Sequence, residues 1–211
     1  AIIKHIEESI NTSIDTLNIT PKCLQIHNAD EDILKNTELL LAIKDLLGKH
    51  KIAKFGVTVY GLDLLTAYQA QPIDLIQFEY NMARTTIIKK LFLDTKINAN
   101  NKLAARSILN KGLFVAKTIN ELDSYFDKVK PKLKTLYNLA NEMNISVLEL
   151  AIRYAISTNC LDYIILGMKN IEEVNSNIQI YKKGALSKVV IEKIDAIGLN
   201  DYWKILDPRR W

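Results

Sequence analysis

Two kinds of segment alternate along this chain of 211 residues, and their alternation limits the folds that the chain can adopt. The first kind is short and rich in β-branched and other apolar residues, and it covers residues 22–27, 52–60, 73–81, 102–109 and 161–168. Near-continuous apolar runs of this length are typical of strands that are buried on both faces of a parallel sheet. We therefore predict five parallel strands.

The second kind of segment has the period of a helix. Residues 2–19, for example, carry apolar side chains three or four positions apart. Further helices are predicted over residues 32–50, 62–70, 84–97, 136–144, 146–159, 170–183 and 187–197. We expect Gly48 to end the second helix, and we expect Ser146 and Glu149 to form a capping box at the start of a later one.

Strands that alternate with helices imply right-handed βαβ crossovers and one parallel sheet. Five such strands form either an open doubly wound sheet or an incomplete (β/α) barrel, because a closed barrel needs eight strands and typically about 250 residues. Periodicity alone leaves both architectures open. No Gly/Ser-rich linker, low-complexity block or alignable repeat divides the chain, so we expect a single domain over residues 1–211.

Composition argues against several classes of function. The net charge of +4 comes from lysines spread along the chain, whereas a nucleic-acid surface usually needs a clustered basic stripe. No apolar run reaches the roughly 18 residues of a membrane span. Cys23 and Cys160 lie far apart in apolar segments, which predicts no disulfide framework and no metal site, but buried, reduced thiols in a cytoplasmic protein. A mildly basic chain suits an anionic cofactor or substrate.

The order of the strand endings resembles that of the aldo-keto reductase family. The stretch "LQIHNAD" (24–30) resembles the family's strand that ends in histidine, and "KIAKFGVTVY" (51–60) resembles its "G-K-I-R-x-I-G-V-S" strand. "IDLIQFEYN" (73–81) resembles "D-x-x-Q-x-E-Y-N", "LAARSILNKGLF" (103–114) the seventh strand and its loop, and residues 147–178 the last helix, strand and helix. The resemblance covers essentially this whole chain and corresponds to the C-terminal two-thirds of the family's barrel. It implies an α/β fold of the parallel TIM-barrel type, incomplete, with roughly the fourth to eighth βα units.

The seventh strand resembles that of a bacterial subgroup of the family. Many members carry a tyrosine that stacks on the nicotinamide, and Arg106 stands at that position here. An Arg-Ser pair in this strand, and an ending such as "LDPRRW", are found in the subgroup, some members of which are associated with sugar biosynthesis. The resemblance therefore implies a sugar or sugar-derived carbonyl as the substrate.

Three residues are implied to act near the reacting carbonyl. The resemblance places His27 at the barrel mouth, where a neutral imidazole donates a hydrogen bond to the carbonyl oxygen; the alternative is a histidine that caps a strand end. Gln77 matches the glutamine that binds the nicotinamide carboxamide. Thr58 replaces the family's serine in that carboxamide clamp, and Val59 replaces the asparagine that often follows.

The rest of the implied cofactor site comes from two later segments. Arg106 would stack its guanidinium on the cofactor ring, or else form a salt bridge inside the mouth. Ser107, Leu109 and Gly112 belong to a loop that passes beside the pyrophosphate in the family.

The segment from Gly167 to Asn177 matches the adenosine-phosphate end of the site. A helix that starts after Asn170 offers free N–H groups to an anion, Lys169 lies beside it, and Asn177 matches an asparagine that contacts the adenine. NADPH-selective members carry an arginine near Glu173, so the choice between NADPH and NADH stays open. The alternative is an ordinary capped helix whose acidic residues are favoured by its dipole.

The family's proton donor is a tyrosine, assisted by a lysine and an aspartate, and no motif of this chain matches them. The first reading is an NAD(P)H-dependent carbonyl or aldehyde reductase whose proton donor lies in a missing N-terminal segment. The second is a truncated or degenerate, non-catalytic fragment that binds a nucleotide or assembles with a partner chain. The third is an unrelated parallel α/β protein that binds a phosphate at Gly167–Asn170.

Overall fold

The computed structural model describes residues 2–61, 63–70, 72–86, 88, 101–115 and 119–211. These residues divide into two compact units. The first unit takes in the described residues up to 78 together with 101–104, and the second takes in those of 79–88 and of 105–211. The single domain expected over residues 1–211 stays a prediction, and the helix expected over 84–97 lies largely outside the described residues.

The described elements follow the alternation of the sequence. In chain order they are α1 (Ile2–Leu17), β1 (Cys23–Ile26), α2 (Glu31–Lys35), α3 (Thr37–Lys49), β2 (Lys54–Val59), α4 (Asp63–Gln69), β3 (Leu75–Glu79), β4 (Lys102–Arg106), α5 (Lys130–Glu142), α6 (Val147–Ile156), β5 (Tyr163–Ile164), α7 (Ile171–Lys182) and α8 (Lys188–Ala196). Short 3-10 helices cover Asn110–Val115, Ile119–Glu121, Ser124–Phe126 and Leu199–Tyr202.

The five described strands form one sheet in the order β1-β2-β3-β4-β5, so the predicted strand count is confirmed for the described residues. β1 pairs with β2, and β2 with β3, in the parallel sense. A doubly wound sheet reverses its strand order at a switch point, whereas a barrel places each strand beside the preceding one. The order without a reversal therefore confirms the α/β, parallel TIM-barrel type of fold.

The pleat of β1–β3 separates an apolar face from a polar one. Phe55, Val57 and Phe78 alternate with the polar positions and are buried to 1% exposure or less. Gln25 pairs with Gly56 and Thr58 pairs with Gln77 across the sheet, so these four residues share the other face. We predicted that apolar side chains would be buried on both faces of these strands. The prediction is confirmed for one face, whereas the other face carries the polar residues Gln25, Thr58 and Gln77.

Glycines 48 and 56 are expected to respond oppositely to replacement by alanine. A Cβ on Gly56 would lie 2.8 Å from Gln25 Cγ and 2.9 Å from the Leu75 carbonyl oxygen, so G56A should lower the free energy of unfolding by about 1–3 kcal/mol. A Cβ on Gly48, inside α3, meets nothing within 4 Å, so G48A should raise it by about 0.5–1 kcal/mol. Urea unfolding of both variants checks this contrast, and equal stabilities would contradict the close approach at Gly56.

Two details of the helix predicted over residues 32–50 are wrong. The segment forms two helices, because Asn36 ends α2 and its side chain accepts a hydrogen bond from the Leu39 N–H as the N-cap of α3. Gly48 does not end α3, which continues to Lys49. The chain leaves the helix at Lys51, whose φ is 57°, and the Ile52 N–H returns to the Leu47 carbonyl oxygen at 2.9 Å.

The predicted cap of α6 is confirmed in one of its two halves. The Ser146 hydroxyl accepts a hydrogen bond from the Glu149 N–H at 3.0 Å. The Glu149 carboxylate does not complete the box, because it is buried and binds Arg153 at 3.1 Å and Lys183 at 2.6 Å. The Glu149 carboxylate thereby links the helix α6 to the end of α7.

Both cysteines are free and half-buried. Cys23 lies in β1 as predicted, but Cys160 lies in the turn before β5 and not in a strand, because only Tyr163–Ile164 of that apolar run pair in the sheet. Among the helices that the structure describes, none is long and apolar enough to cross a membrane.

Alkaline pH is expected to destabilise the second unit. Burial raises the pKa of Tyr80 to about 12 from an ordinary value of 10.0, and that of Cys160 to about 12 from 9.0. Between the ordinary and the raised pKa, the folded chain binds more protons than the unfolded chain, so the free energy of unfolding falls as pH rises above about 9. Each group contributes at most about 1.4 kcal/mol per pH unit.

The variant Y80F tests this pH dependence, because it removes one of the groups whose pKa burial raises. We expect urea unfolding of Y80F to depend less steeply on pH between about 10 and 12 than that of the wild type. C160A is the matched variant for the range that begins at about pH 9. If the free energy of unfolding of Y80F depends on pH as that of the wild type does, then Tyr80 ionises equally in the folded and the unfolded chain.

Candidate active site

In the first unit, His27 and Thr58 lie side by side on the polar face of the sheet. His27 directly follows β1 and is exposed, whereas Thr58 is inside β2 and 6% exposed. The Thr58 hydroxyl oxygen lies 3.1 Å from His27 Nδ1 and accepts a hydrogen bond from the Asn28 N–H at 2.8 Å. The Ala29 N–H donates to the Thr58 carbonyl oxygen at 2.8 Å, so two main-chain N–H groups, those of Asn28 and Ala29, hold the turn after β1 against β2.

Gln77 is the third predicted residue in this unit. It pairs with Thr58 in the register of β2 and β3, which places both side chains on the same face. Its Nε2 lies 3.5 Å from Gln25 Oε1, a long contact between two amides that are each open to solvent. The polar face of β1–β3 therefore brings His27, Thr58 and Gln77 together, as the sequence predicted for residues that share a site.

In the second unit, a cavity of about 670 Å³ gathers six of the predicted cofactor residues. They are Ser107, Leu109, Gly112, Gly167, Lys169 and Asn177. The walls are the loop after β4, the segment after β5 and the first turns of α7. Cavities of this size are typical of small-molecule and cofactor sites. Arg106 precedes the lining residues and donates from Nη1 to the Ser107 hydroxyl at 3.1 Å.

The loop after β4 has an unusual backbone. Ser107, Asn110, Lys111 and Gly112 all have φ between 47° and 94°, a region that costs non-glycine residues energy. Such a conformation persists only where neighbouring structure holds it, and two sets of contacts hold this one.

Asn81 and the C-terminal segment supply those contacts, and the sequence analysis missed both. Asn81 Nδ2 donates to the Ser107 carbonyl oxygen at 3.0 Å. Asn110 Nδ2 donates to the carbonyl oxygen of Leu206, and Lys111 Nζ to that of Pro208, each at 3.0 Å. Asn81 is the last residue of the "FEYN" motif, so a role for it could have been suspected. The carbonyl oxygen of Leu206 could not have been predicted as an acceptor, because every residue has such a group.

The N-terminus of α7 borders the same cavity. Asn170 is its N-cap, as predicted, and accepts from the Glu173 N–H at 2.8 Å. The Glu173 carboxylate folds back and accepts from the Lys169 N–H at 2.8 Å, so a negative charge already lies at the helix end that would attract a phosphate. Lys169, Glu173 and Asn177 all line the cavity, so a cation, an anion and an amide border it.

The family model of the aldo/keto reductases matches residues 2–199. The chain belongs to the aldo/keto reductase family. The family consists of oxidoreductases that generally use nicotinamide cofactors. The sequence resemblance was interpreted as covering the C-terminal two-thirds of the family. That interpretation is wrong, because the family model matches residues 2–199, which is nearly the whole of this chain.

Solved structures agree with the aldo/keto reductase fold. The holo form of the aldo-keto reductase AKR11C1 from Bacillus halodurans matches with a TM-score of 0.75 and 18% identity, over 92% of this chain and 67% of that chain. The glycerol dehydrogenase AKR11B4 from Gluconobacter oxydans matches with a TM-score of 0.74 and 19% identity, over 92% of this chain and 64% of that chain. The chain thus spans about two thirds of the length of each. The comparison with curated proteins gives no match.

Proposed function

We propose that this aldo/keto reductase is an NAD(P)H-dependent carbonyl or aldehyde reductase, and that the cavity of the second unit binds the cofactor. The observation that carries the proposal is that six residues chosen from the sequence as cofactor contacts line one cavity. Because these residues come from two segments, 107–112 and 167–177, their meeting supports a common ligand. The size of the cavity fits part of a dinucleotide rather than a simple anion.

Different segments of this chain would bind different parts of the cofactor. The main chain of the loop 107–112 would pass beside the pyrophosphate, because the residues of this loop line the cavity. Lys169 would face the phosphate at the adenosine end, and Asn177 would hold the adenine. When bound, the nicotinamide supplies the hydride.

In the first unit, His27 would donate a hydrogen bond to the carbonyl oxygen and stabilise the negative charge that develops there. The roles that the resemblance implies for Gln77, at the carboxamide, and for Arg106, at the cofactor ring, stay predictions. We propose a sugar-derived carbonyl as the substrate and a bacterial setting on the resemblance, and a cytoplasmic setting on the two free thiols. The proton donor would come from outside these residues, from a further segment or a partner chain.

The test is an assay for oxidation of NADPH and NADH in the presence of a panel of sugar-derived aldehydes, with the chain supplied with its proton donor by the further segment or the partner chain. We expect turnover that H27A lowers by about 100-fold, since removal of one oxyanion donor has effects of this order. H50A is the matched control, because His50 pairs with Glu7 on α1. Nucleotide binding without turnover of any carbonyl would contradict the reductase and favour a nucleotide-binding module.

Glu173 is expected to favour NADH over NADPH. Its carboxylate lines the cavity and would repel a 2′-phosphate by roughly 1 kcal/mol in a solvated site, which corresponds to about fivefold in Kd. E173Q keeps an acceptor for the Lys169 N–H but removes the charge, so it should abolish most of the difference between the two nucleotides. E172Q, in the same turn but outside the cavity lining, should keep it. An unchanged Kd ratio in E173Q would contradict this role.

A further inference from the structure

The hydrogen-bond partners of Thr58 bear on the state of His27. A hydroxyl group has one proton to donate and two lone pairs with which to accept. The Thr58 oxygen uses one lone pair for the Asn28 N–H at 2.8 Å, and its remaining short contact is with His27 Nδ1 at 3.1 Å. Among the described residues, Nδ1 is thus the acceptor that the structure offers to the hydroxyl proton.

We propose that Thr58 is a positioning residue that holds neutral His27 in the tautomer with its proton on Nε2. The hydroxyl donates to Nδ1, and the ring proton then resides on the opposite nitrogen. In the other tautomer, Nδ1–H would donate to Thr58, and the hydroxyl proton would be left without a partner. Thr58 is 6% exposed, so water does not easily replace that partner, and the first arrangement is favoured.

The local backbone makes this contact specific. Ile26 pairs with Val57 in the register of β1 and β2, so His27 and Thr58 follow as the next neighbouring pair. Asn28 has φ of 54°, and its N–H and that of Ala29 both bond to Thr58, which fixes the turn that carries the imidazole. The β-branched side chain of Thr58 has few rotamers, so its hydroxyl stays directed at Nδ1.

The consequence rests on the proposed function. With its proton on Nε2, His27 presents an N–H donor to a ligand on the polar face, and not a lone pair. His27 would therefore polarise a carbonyl oxygen and would not act as a general base through Nε2. Thr58 would use its hydroxyl proton on the imidazole and one lone pair on the Asn28 N–H, which leaves one lone pair for the carboxamide clamp that the resemblance implied.

The test is ¹⁵N NMR of the histidine rings in the ligand-free 211-residue chain at alkaline pH. Shifts and couplings distinguish a protonated from an unprotonated ring nitrogen, and H27N assigns the His27 signals among the three histidines. We expect the Nε2–H tautomer to exceed the other by at least about tenfold in the wild type. A predominant Nδ1–H tautomer in the wild type would overturn the proposal without the need for any variant.

Two variants at Thr58 separate the hydroxyl from the packing. T58V keeps the shape but removes the hydroxyl, and we expect a mixture of tautomers. T58S restores the hydroxyl and should restore the Nε2–H form, which a purely structural role would not require. If T58V keeps the wild-type tautomer ratio while its amide spectrum stays folded, Thr58 does not set the tautomer. Because this readout needs no nucleotide or carbonyl, it is independent of whether the proposed reductase activity is found.

Discussion

Replacing Glu79 by glutamine is expected to lower the free energy of unfolding by about 3–5 kcal/mol. Glu79 and Arg84 form an ion pair in the second unit, and their side chains are only 7% and 12% exposed. Burial lowers the pKa of Arg84, and the guanidinium also packs over the ring of Trp203 at 5.0 Å. Without the carboxylate, the positive charge of Arg84 would keep the attraction of Asp207 but lose its ion-pair partner in a site that excludes most water, and that loss is the source of the penalty.

Urea unfolding of three variants tests the Glu79–Arg84 pair. The double variant E79L/R84M removes both charges and should recover most of the stability lost in E79Q, because an apolar pair can replace a buried ion pair. E31Q is the matched control at an exposed pair, since Glu31 and Lys35 are 57% and 66% exposed, and it should change stability by less than about 1 kcal/mol. An E79Q protein as stable as E31Q would contradict the buried-charge account.

Filling the cavity of the second unit is expected to have the largest effect on nucleotide binding. Gly167 lines the cavity, and a Cβ added there meets nothing within 4 Å. G167W would therefore place a large ring in the space proposed for the cofactor without a clash at Cβ. We expect it to weaken binding of NADPH and NADH at least about tenfold, or about 1.4 kcal/mol.

Fluorescence titration with either reduced nucleotide measures the effect of G167W. G48L is the matched control, because Gly48 is a second glycine with open space around its Cβ position but belongs to α3 of the first unit. Unfolding curves close to that of the wild type show that both variants fold. Equal affinity in G167W and the wild type would exclude this cavity as the nucleotide site.

Elements that depend on local pattern could be predicted from the sequence. The apolar runs located all five described strands, and the N-caps at Ser146 and Asn170 followed from residue types that compete for the first free amides of a helix. The break at Asn36 was missed, because its neighbours on both sides have the same helical period. The direction of Glu149 toward Arg153 and Lys183 depends on the packing of α6 with α7, which no short motif encodes.

The candidate site could be predicted only in part, for a similar reason. Gly167 and Asn177 lie in a motif whose resemblance to a family located them beforehand. The positions of Asn81 and Asn110 depend on carbonyl oxygens of residues 107 and 206, and every residue type supplies such an acceptor. The contact of Thr58 with His27 arises from strand register, which is fixed by the assembled sheet and not by either segment alone.

The most direct test of the central claim is calorimetric titration of the purified chain with NADH and NADPH at low salt. We predict one saturable site per chain, with tighter binding of NADH because the Glu173 carboxylate lines the cavity. A folded chain that releases or absorbs no heat with either nucleotide, and leaves the fluorescence of both unchanged, would contradict the claim that this cavity binds a nicotinamide cofactor.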